Sequence, residues 1–376
     1  MIRLAEVADA FLPDLEAQYG DRLLPGQRNA LSAILRCRTE ACGTAAIHCH
    51  ACEHEDSFPL SCGHRACPQC QNEAVEQWLQ RQRAKLLPVD YYLITFTLPA
   101  QLRALVYANQ RAAYDLLIKL AWQTLCEFGL NDKTLQGRLG ATVVLHTHSR
   151  ALDFHPHVHI VVPAGAIDTV HNRWRTKQGK FLLPEKALAK VFRGKWFQAM
   201  KEHDWKVRAQ LPQKWVVDCQ WVGNGEKALL YLGRYLYRGV LAEKNILACE
   251  DGQVTFRYTE NSGAIETRSL PGADFLWLLL QHVLPKGFRR TRDYGFLHGN
   301  CKRLIQRLHL LLRLCLPKPK GEAPYVLQAM RRCGDPDRDS IPEESQTAGS
   351  PGSDAPGDAD VTTRNNSHLT DQGIES

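Results

Sequence analysis

The sequence predicts an α+β fold in which an antiparallel sheet carries helices on one face. Between residues 91 and 238 the pattern runs strand, helix, strand, strand, helix, strand, the order of a split βαβ arrangement. Seven cysteines crowd into residues 37 to 70, ahead of that region. Residues 334 to 376 are rich in Pro, Gly, Ser and Asp and hold few large apolar side chains. We therefore expect a small metal-binding module, an α+β domain and a disordered acidic tail.

Periodicity and chain breakers predict the individual elements. Tyr91 to Leu98 is rich in β-branched and aromatic residues and ends before Pro99, as a buried strand does. Further strands are predicted at 142–148, 157–162 and 215–221, and helices within 1–36 and at 72–87, 101–128, 185–209 and 225–238. Beyond them, the sequence indicates a hairpin at 252–270 and helices at 272–283 and 300–314.

Composition indicates a soluble protein that stays in the compartment where it is made. The chain has 376 residues, of which 44% are hydrophobic, enough for a large core and about two domains. Its most apolar run, Phe275 to Leu280, is far shorter than the roughly 18 residues of a membrane span. With Glu6 and Asp9, the start does not resemble a signal peptide.

The charge distribution favours a polyanionic partner. The net charge is +7, but residues 334 to 376 hold ten acidic side chains against Arg338 and Arg364, so the rest of the chain carries +15. Such an excess is typical of proteins that bind nucleic acid through salt-sensitive contacts. Many basic proteins have other roles, so charge alone does not identify the partner.

The clustered cysteines indicate a zinc site. Cys49 and Cys52 form one C-x-x-C pair, and Cys67 and Cys70 form another. Two residues between cysteines let a tight turn direct both thiolates at one ion, and two such turns complete a tetrahedron. We therefore predict that these four cysteines bind zinc.

Other side chains of the module leave alternatives open. Several could replace a predicted ligand or bind a second ion, namely Cys37, Cys42, Cys62, His48, His50, His54 and His64. Arg36, Arg38 and Arg65 could contact DNA phosphates, but a purely architectural module is an equal alternative.

A second candidate metal site lies in His155-Pro-His157-Val-His159. Alternation along a strand places these imidazoles on one face and Val158 and Ile160 in the core. His157 and His159 are thus predicted to bind one divalent ion. The preceding strand carries His146 and His148, also predicted on one face. Either could be the third ligand, with His146 preferred, and Asp153 or His155 could replace it.

A predicted helix supplies candidate nucleophiles. Tyr231 and Tyr235 are four residues apart, so both hydroxyls lie on one helix face, one turn apart. Two tyrosines at this spacing more often serve packing, but a histidine metal site in the same domain favours catalysis. A phenolate can attack a phosphodiester whose charge a divalent ion stabilises, and it keeps the bond energy in a DNA–tyrosine ester for rejoining.

The ordered motifs resemble those of the insertion sequence 91 family of two-tyrosine transposases, which belong to the HUH (His, hydrophobic, His) superfamily. The resemblance runs from about Cys37 to Arg303. Its motifs are Ser61 to Gln71, Val144 to Thr147, His155 to His159, Tyr231 to Tyr235, Gly287 to Arg290 and Tyr294 to Leu297. Where many relatives have Thr-His after the second tyrosine, this chain has Leu236-Tyr237.

The resemblance implies a fold, a reaction and a division into domains. Residues 1–88 would be a helical N-terminus with a zinc-binding domain, 89–316 a Rep-like catalytic domain, and 334–376 the tail. His157 and His159 would bind Mg²⁺ or Mn²⁺, with Tyr231 and Tyr235 as nucleophiles that form a 5′-phosphotyrosine. Rolling-circle transposition through single-stranded DNA, near the nucleoid of a bacterial cytoplasm, is the activity that follows.

Two other functions fit the same residues. A rolling-circle replication initiator or a relaxase would use the same chemistry, but a zinc module ahead of the catalytic region favours the transposase. A zinc-dependent DNA-binding regulator would use the histidines and tyrosines for packing alone. Formation of a covalent DNA adduct separates the enzymes from the regulator.

Overall fold

The computed structural model describes residues 1–50, 52–70, 72–171, 173–237, 241–260 and 263–312, with only the backbone of residues 72, 73 and 234–237. The predicted tail at 334–376 lies outside these residues. Within them, residues 38–61 form one compact unit, and residues 1–37 and 62–312 form another. No helix of the described part is both long and apolar enough to cross a membrane.

The elements follow the predicted order closely. The helices are α1 (Leu4–Tyr19), α2 (Pro25–Arg36), α3 (Asn72–Arg83), α4 (Arg103–Ala108), α5 (Gln110–Asn131), α6 (Glu185–Glu202), α7 (Glu226–Tyr237), α8 (Gly272–Leu280) and α9 (Lys302–Leu311). The strands are β1 (Thr44–His48), β2 (Glu55–Pro59), β3 (Tyr91–Thr97), β4 (Gly140–His148), β5 (Phe154–Pro163), β6 (Gly165–Asp168), β7 (Arg173–Thr176), β8 (Val216–Trp221), β9 (Ile246–Glu250), β10 (Gln253–Thr259), β11 (Ile265–Pro271) and β12 (Thr291–Gly295).

A five-stranded antiparallel sheet forms the centre of the larger unit. Its strand order is β12-β4-β5-β3-β8, and every neighbouring pair is antiparallel. The predicted α+β class with an antiparallel sheet is confirmed. The edge strand β12 was not predicted, and neither was the β6–β7 hairpin that follows β5.

Helices cover both faces of this sheet, so the prediction of helices on one face alone is wrong. On one face, Ile94, Phe96 and Ile160 belong to a core that includes side chains of α5 and α6. On the other, Val144 and Val161 pack in a core with side chains of α3 and α7. The difference arises because alternate residues of β3, β4 and β5 are apolar on both faces, which lets two layers of helices bury them.

A second core joins the N-terminal helices to elements far along the chain. Side chains of α1 and α2 pack with those of α8 and with the sheet β11-β10-β9. Tyr19 stacks on Trp277 with ring centroids 4.6 Å apart, and its hydroxyl donates to Asp274 at 2.5 Å. Packing therefore crosses the domain boundary predicted at residue 88.

Candidate functional site

Four cysteines surround one point beside α2 and α3. Cys37 directly follows α2, and Cys62, Cys67 and Cys70 precede α3; their sulfurs all lie within 4.8 Å of one another. The Cys70 Sγ lies 3.3 Å from that of Cys37 and 3.4 Å from that of Cys62. These distances exceed a disulfide bond of about 2.05 Å and approach the roughly 3.8 Å edge of a tetrahedron with Zn–S bonds of about 2.3 Å. The geometry fits a four-thiolate zinc site.

Burial and hydrogen bonding shift the pKa values of these thiols in opposite directions. Burial raises the pKa of Cys62 to about 12 and also raises the pKa of Cys67. Burial acts on Cys70 in the same direction, but hydrogen bonds from Cys37, Cys62 and Cys67 outweigh it and lower its pKa to about 7. Hydrogen bonding thus favours the thiolate form at Cys70, and the thiolate is the form that binds zinc.

Only two of the four predicted zinc ligands belong to this group. Cys67 and Cys70 do, whereas Cys49 and Cys52 lie in the unit formed by residues 38–61. Cys37 and Cys62 join Cys67 and Cys70 instead. The reason is that the chain returns on itself, because the backbone N–H of Arg38 donates to the carbonyl of Leu60 at 3.2 Å.

The unit formed by residues 38–61 is a small hairpin. Strand β1 pairs with β2 from Thr44 opposite Pro59 to His48 opposite Glu55. The backbone N–H of Cys49 donates to the backbone carbonyl of His54 at 2.9 Å. The rings of His48 and His50 lie edge to face, with centroids 4.9 Å apart. A second zinc ion at this hairpin stays a prediction.

Arg65, between Cys62 and Cys67, is engaged by the protein's own backbone. Its guanidinium donates to the carbonyls of Leu284, Pro285 and Phe288 at 2.7, 3.0 and 2.9 Å. Those residues lie between α8 and β12. Of the two roles left open for Arg65, these contacts favour the architectural one.

Strands β4 and β5 bring three imidazoles together on the face that α7 covers. His146 lies directly opposite His157, and His159 lies opposite Val144. The ring centroids are 5.2 Å apart for His146 and His157, 4.4 Å for His146 and His159, and 4.9 Å for His157 and His159. Their candidate ligand nitrogens all lie within 4.8 Å of one another. Three such donors on adjacent strands can share one divalent ion.

Hydrogen bonds orient two of these rings. The Nδ1 of His157 lies 2.6 Å from the carbonyl oxygen of His155, so Nδ1–H must donate, which leaves the Nε2 lone pair for a ligand. The Nδ1 of His159 lies 2.8 Å from the Thr95 hydroxyl on the neighbouring strand. Such partners fix the ring orientation of metal-binding histidines.

Burial keeps all three imidazoles neutral at neutral pH. It lowers the pKa of His157 to about 4 and that of His159 to about 3. It also holds the pKa of His146 well below the ordinary value, and the neighbouring His159 and His157 add to the effect. Neutral imidazole is the form that binds a metal ion.

The remaining candidate ligands of this site do not belong to the group of three imidazoles. A register shift after His146 places His148 opposite Phe154, and its ring lies 3.6 Å from that of His282. His148 is therefore not one of the three imidazoles whose nitrogens lie together. Asp153 pairs with Arg268 at 3.3 Å, and His155 lies 3.1 Å from Arg103, so neither alternative third ligand joins the group.

Helix α7 presents Tyr231 beside the three histidines. The Tyr231 ring centroid lies 6.4 Å from that of His146 and 6.2 Å from that of His159, and the side chain is 40% exposed. Tyr235 belongs to the same helix, and its side chain lies outside the described residues. A solvent-accessible phenol thus lies next to a group of neutral imidazoles.

A glycine fixes where this helix begins. Gly225 has a φ of +80°, and a Cβ there would lie 2.7 Å from the ring of Tyr91. A left-handed conformation against a buried aromatic ring requires glycine. It directs α7 back across the sheet toward the histidines.

Sequence reasoning missed two residues of the site. Thr95 contacts His159, and the guanidinium carbon of Arg150 lies 5.9 Å from the ring centroid of Tyr231. Alternation places Thr95 on one face of β3, but only the strand register, with Thr95 opposite His159, shows which imidazole it meets.

Two family models match the chain. Residues 7–98 match a model described as "Transposase zinc-binding domain", of the IS91 type, and this range contains the four-cysteine group. Residues 140–304 match a model described as "Putative transposase" (Y2_Tnp), and this range contains the three histidines and Tyr231.

Two curated proteins are similar over most of their length. One, from Sinorhizobium fredii, is described as "Putative transposase y4qJ" and is 33% identical over 342 residues, which cover 84% of this chain and 86% of that protein. The other, from Pseudomonas savastanoi pv. phaseolicola, is described as the transposase for insertion sequence element IS801; it is 29% identical over 311 residues, 77% of this chain and 75% of that protein. No solved structure matches the chain.

Proposed function

Because the chain belongs to the insertion sequence 91 family of transposases, we propose that Tyr231 cuts single-stranded DNA beside the histidine group. The cut strand stays on the enzyme as a 5′-phosphotyrosine during rolling-circle transposition. The observation that carries this proposal is the exposed Tyr231 ring, whose centroid lies 6.4 Å from that of His146 and 6.2 Å from that of His159.

As a transposase the protein acts on DNA, and its N-terminal part is a zinc-binding domain with a four-cysteine group suited to Zn²⁺. Architectural contacts such as those of Arg65 support a structural role for that ion. The zinc site is separate from the histidine group, which has a different set of donors.

His146, His157 and His159 would hold the divalent ion of the reaction. Three neutral nitrogen donors fit Mn²⁺ well and Mg²⁺ less readily, although cellular abundance favours Mg²⁺. When bound, the ion withdraws charge from a non-bridging oxygen of the scissile phosphate and stabilises the pentacoordinate transition state.

The chain's own contribution is the nucleophile and its placement. As the bond between the Tyr231 Oη and phosphorus forms, the bond from phosphorus to the 3′ oxygen breaks. The phenol releases its proton to solvent and the 3′ oxygen takes one up, so neither water nor a nucleotide is consumed. Rejoining reverses these steps on a new 3′-hydroxyl. Tyr235, one helical turn away, would make the second cut while Tyr231 still holds its strand.

The test is a covalent adduct. Labelled single-stranded oligonucleotides with the ends of the element are incubated with zinc-loaded protein and Mn²⁺, then separated under denaturing conditions. We expect an adduct with the wild type, its loss in the Tyr231→Phe/Tyr235→Phe double variant, and nearly unchanged DNA binding. The single Phe variants then assign the first and second cuts.

A matched control removes the hydroxyl of a tyrosine that lies away from the histidine group. Tyr294 stacks on Trp122 of α5, on the opposite face of the sheet, at 5.1 Å. Tyr294→Phe should form the adduct like the wild type. If the wild type forms no adduct on the correct end sequence, the result contradicts the proposal and favours a zinc-dependent DNA-binding regulator.

A further inference from the structure

An arginine lies beside the Tyr231 ring without an acidic partner. The guanidinium carbon of Arg150 is 5.9 Å from the Tyr231 ring centroid, and its Nη1 donates to the carbonyl of Thr259 at 3.2 Å. The residue is exposed. Across the described part of the chain, no carboxylate lies within ion-pair distance of this guanidinium.

The surroundings of Arg150 do not balance its charge. The nearby side chains of His146, His157 and His159 are imidazoles, which carry no negative charge. An uncompensated cation beside a nucleophile favours an anion at the same place.

The backbone holds Arg150 in position. It follows β4 in a turn closed by a hydrogen bond from the Ser149 N–H to the Asp153 carbonyl at 2.8 Å. Leu152 in that turn is fully buried at a φ of 71°. Arg268 of β11 donates to the Ala151 carbonyl at 2.5 Å. A turn fixed by these contacts gives the guanidinium a preorganised base.

We propose that Arg150 is a catalytic residue that binds a non-bridging oxygen of the scissile phosphodiester during attack by Tyr231. This inference rests on the proposed function and adds a second positive group to the phosphate site. A planar guanidinium can donate two parallel hydrogen bonds to a phosphate, and these strengthen as charge builds on the oxygens in the transition state.

Arg290 is the competing candidate, and its placement is less suitable. Its carbonyl accepts from the Leu145 N–H at 3.0 Å, and its Nη2 lies 3.4 Å from the carbonyl of His282. Leu145 belongs to the core on the sheet face opposite Tyr231. The Arg290 guanidinium is thus directed at His282, whereas that of Arg150 lies 5.9 Å from the Tyr231 ring centroid.

The test compares a charged and an uncharged scissile linkage. Single-turnover adduct formation is measured with a normal phosphodiester and with a methylphosphonate at the cut site, for the wild type, Arg150→Ala and Arg150→Lys. We expect Arg150→Ala to slow the phosphodiester reaction on the order of 100-fold and the methylphosphonate reaction by less than about threefold. Arg150→Lys should recover part of the loss.

Arg208→Ala is the matched control, because it removes one exposed positive charge from a loop whose neighbour Val207 packs on the opposite face of the sheet. It should react like the wild type with both linkages.

Three results would overturn the inference. Equal slowing of both linkages by Arg150→Ala would make Arg150 a structural residue, and an unchanged rate would give it no role; either leaves the proposed function standing. A wild type that forms no adduct would overturn the proposed function together with this inference.

Discussion

Thr95 holds the His159 imidazole from the neighbouring strand. Its hydroxyl lies 2.8 Å from Nδ1, so the hydrogen bond between them restrains the ring. His157 needs no such side chain, because its Nδ1 meets a backbone carbonyl at 2.6 Å. The two candidate metal ligands of β5, His157 and His159, are thus oriented by different kinds of partner.

That difference leads to a prediction for Thr95→Val. The change keeps the β-branched shape in the strand but removes the hydroxyl, and loss of such a partner typically weakens metal binding by about 10–100-fold. Mn²⁺ affinity at the histidine group, measured by calorimetry on zinc-loaded protein, should fall by that factor. Thr97→Val, opposite His157 in register, is the control and should bind Mn²⁺ like the wild type. Equal affinities for Thr95→Val and wild type would contradict the assignment.

At the residue scale, alternation was informative until the register changed. It correctly places Val158 and Ile160 in the core behind His157 and His159. It does not show that the pairing register shifts after His146, and His148 is not one of the three grouped imidazoles. Cysteine spacing predicts ligands at Cys49 and Cys52, whereas the four-cysteine group includes Cys37 and Cys62, which lie next to the hydrogen-bonded Arg38 and Leu60.

At the scale of elements, the position of α7 depends on α3. Gly233 of α7 lies against α3, where a Cβ would come within 3.0 Å of Leu79 and 3.3 Å of Trp78. A small residue permits this close approach of two helices, and the contact between α3 and α7 restrains the helix that carries Tyr231. The tyrosine helix is therefore held by its glycine start and by a partner helix from the N-terminal part.

The zinc-binding segment and the loop before β12 are linked through Arg65. Arg65→Ala removes three hydrogen bonds to backbone carbonyls but leaves the four cysteines intact. We expect the free energy of unfolding to fall by about 1–3 kcal/mol, with zinc content unchanged. Urea unfolding and zinc analysis measure both quantities.

The same variant separates the two roles considered for this arginine. If Arg65 binds no phosphate, the slope of log affinity against log salt should match that of the wild type, whereas a lost phosphate contact would lower it by about one. Arg36→Ala, which affects an exposed side chain bonded to Ser32 within α2, should change stability by less than about 0.5 kcal/mol. A reduced salt slope for Arg65→Ala would refute the architectural role.

Most elements were predictable from periodicity, and the exceptions share a physical cause. Strand β12 reads Thr-Arg-Asp-Tyr-Gly, which has no apolar alternation. It is a strand because β4 offers its free edge, with Thr291 opposite Val144. A tertiary partner determines such a segment, so its own sequence carries little signal.

At the scale of the whole molecule, buried histidines make stability depend on pH. Burial lowers the pKa of eight imidazoles in the described part of the chain, most strongly those of His146, His148, His157, His159 and His282. The unfolded chain binds protons below about pH 6.5, whereas the folded chain resists them down to about pH 4 at His157. Stability is therefore fully present above pH 6.5 and is lost as the pH falls toward 4.

Urea unfolding at pH 7.5, 6.5 and 5.5 tests this dependence. Each buried imidazole contributes up to about 1.4 kcal/mol per pH unit below its unfolded pKa. His282→Leu removes one of them, so its stability should fall less steeply between pH 6.5 and 5.5 than that of the wild type. The wild type and the His282→Leu variant contain the same four-cysteine group, so any effect of pH on these thiols cancels in the comparison. Parallel pH profiles would show that His282 is protonated equally in both states.

Long-range packing limits what sequence could say about domains. The apolar faces of α1 and α2 predict that they bury something, but not that α8 is the partner. Contacts between Tyr19 and Trp277 join segments that lie far apart in sequence. The boundary at residue 88 is predicted from the order of the motifs, whereas one core contains residues from both sides of it.

The two ends of the hairpin formed by residues 38–61 lie close together, because the N–H of Arg38 donates to the carbonyl of Leu60. In sequence, these ends adjoin Cys37 and Cys62. A segment closed in this way can change length at small cost, because each doubling of a flexible loop adds only about 0.6 kcal/mol of closure entropy. The zinc ligands on either side would keep their positions. We therefore expect changes of length to be tolerated in this hairpin, and a reporter peptide for labelling the protein could be inserted there.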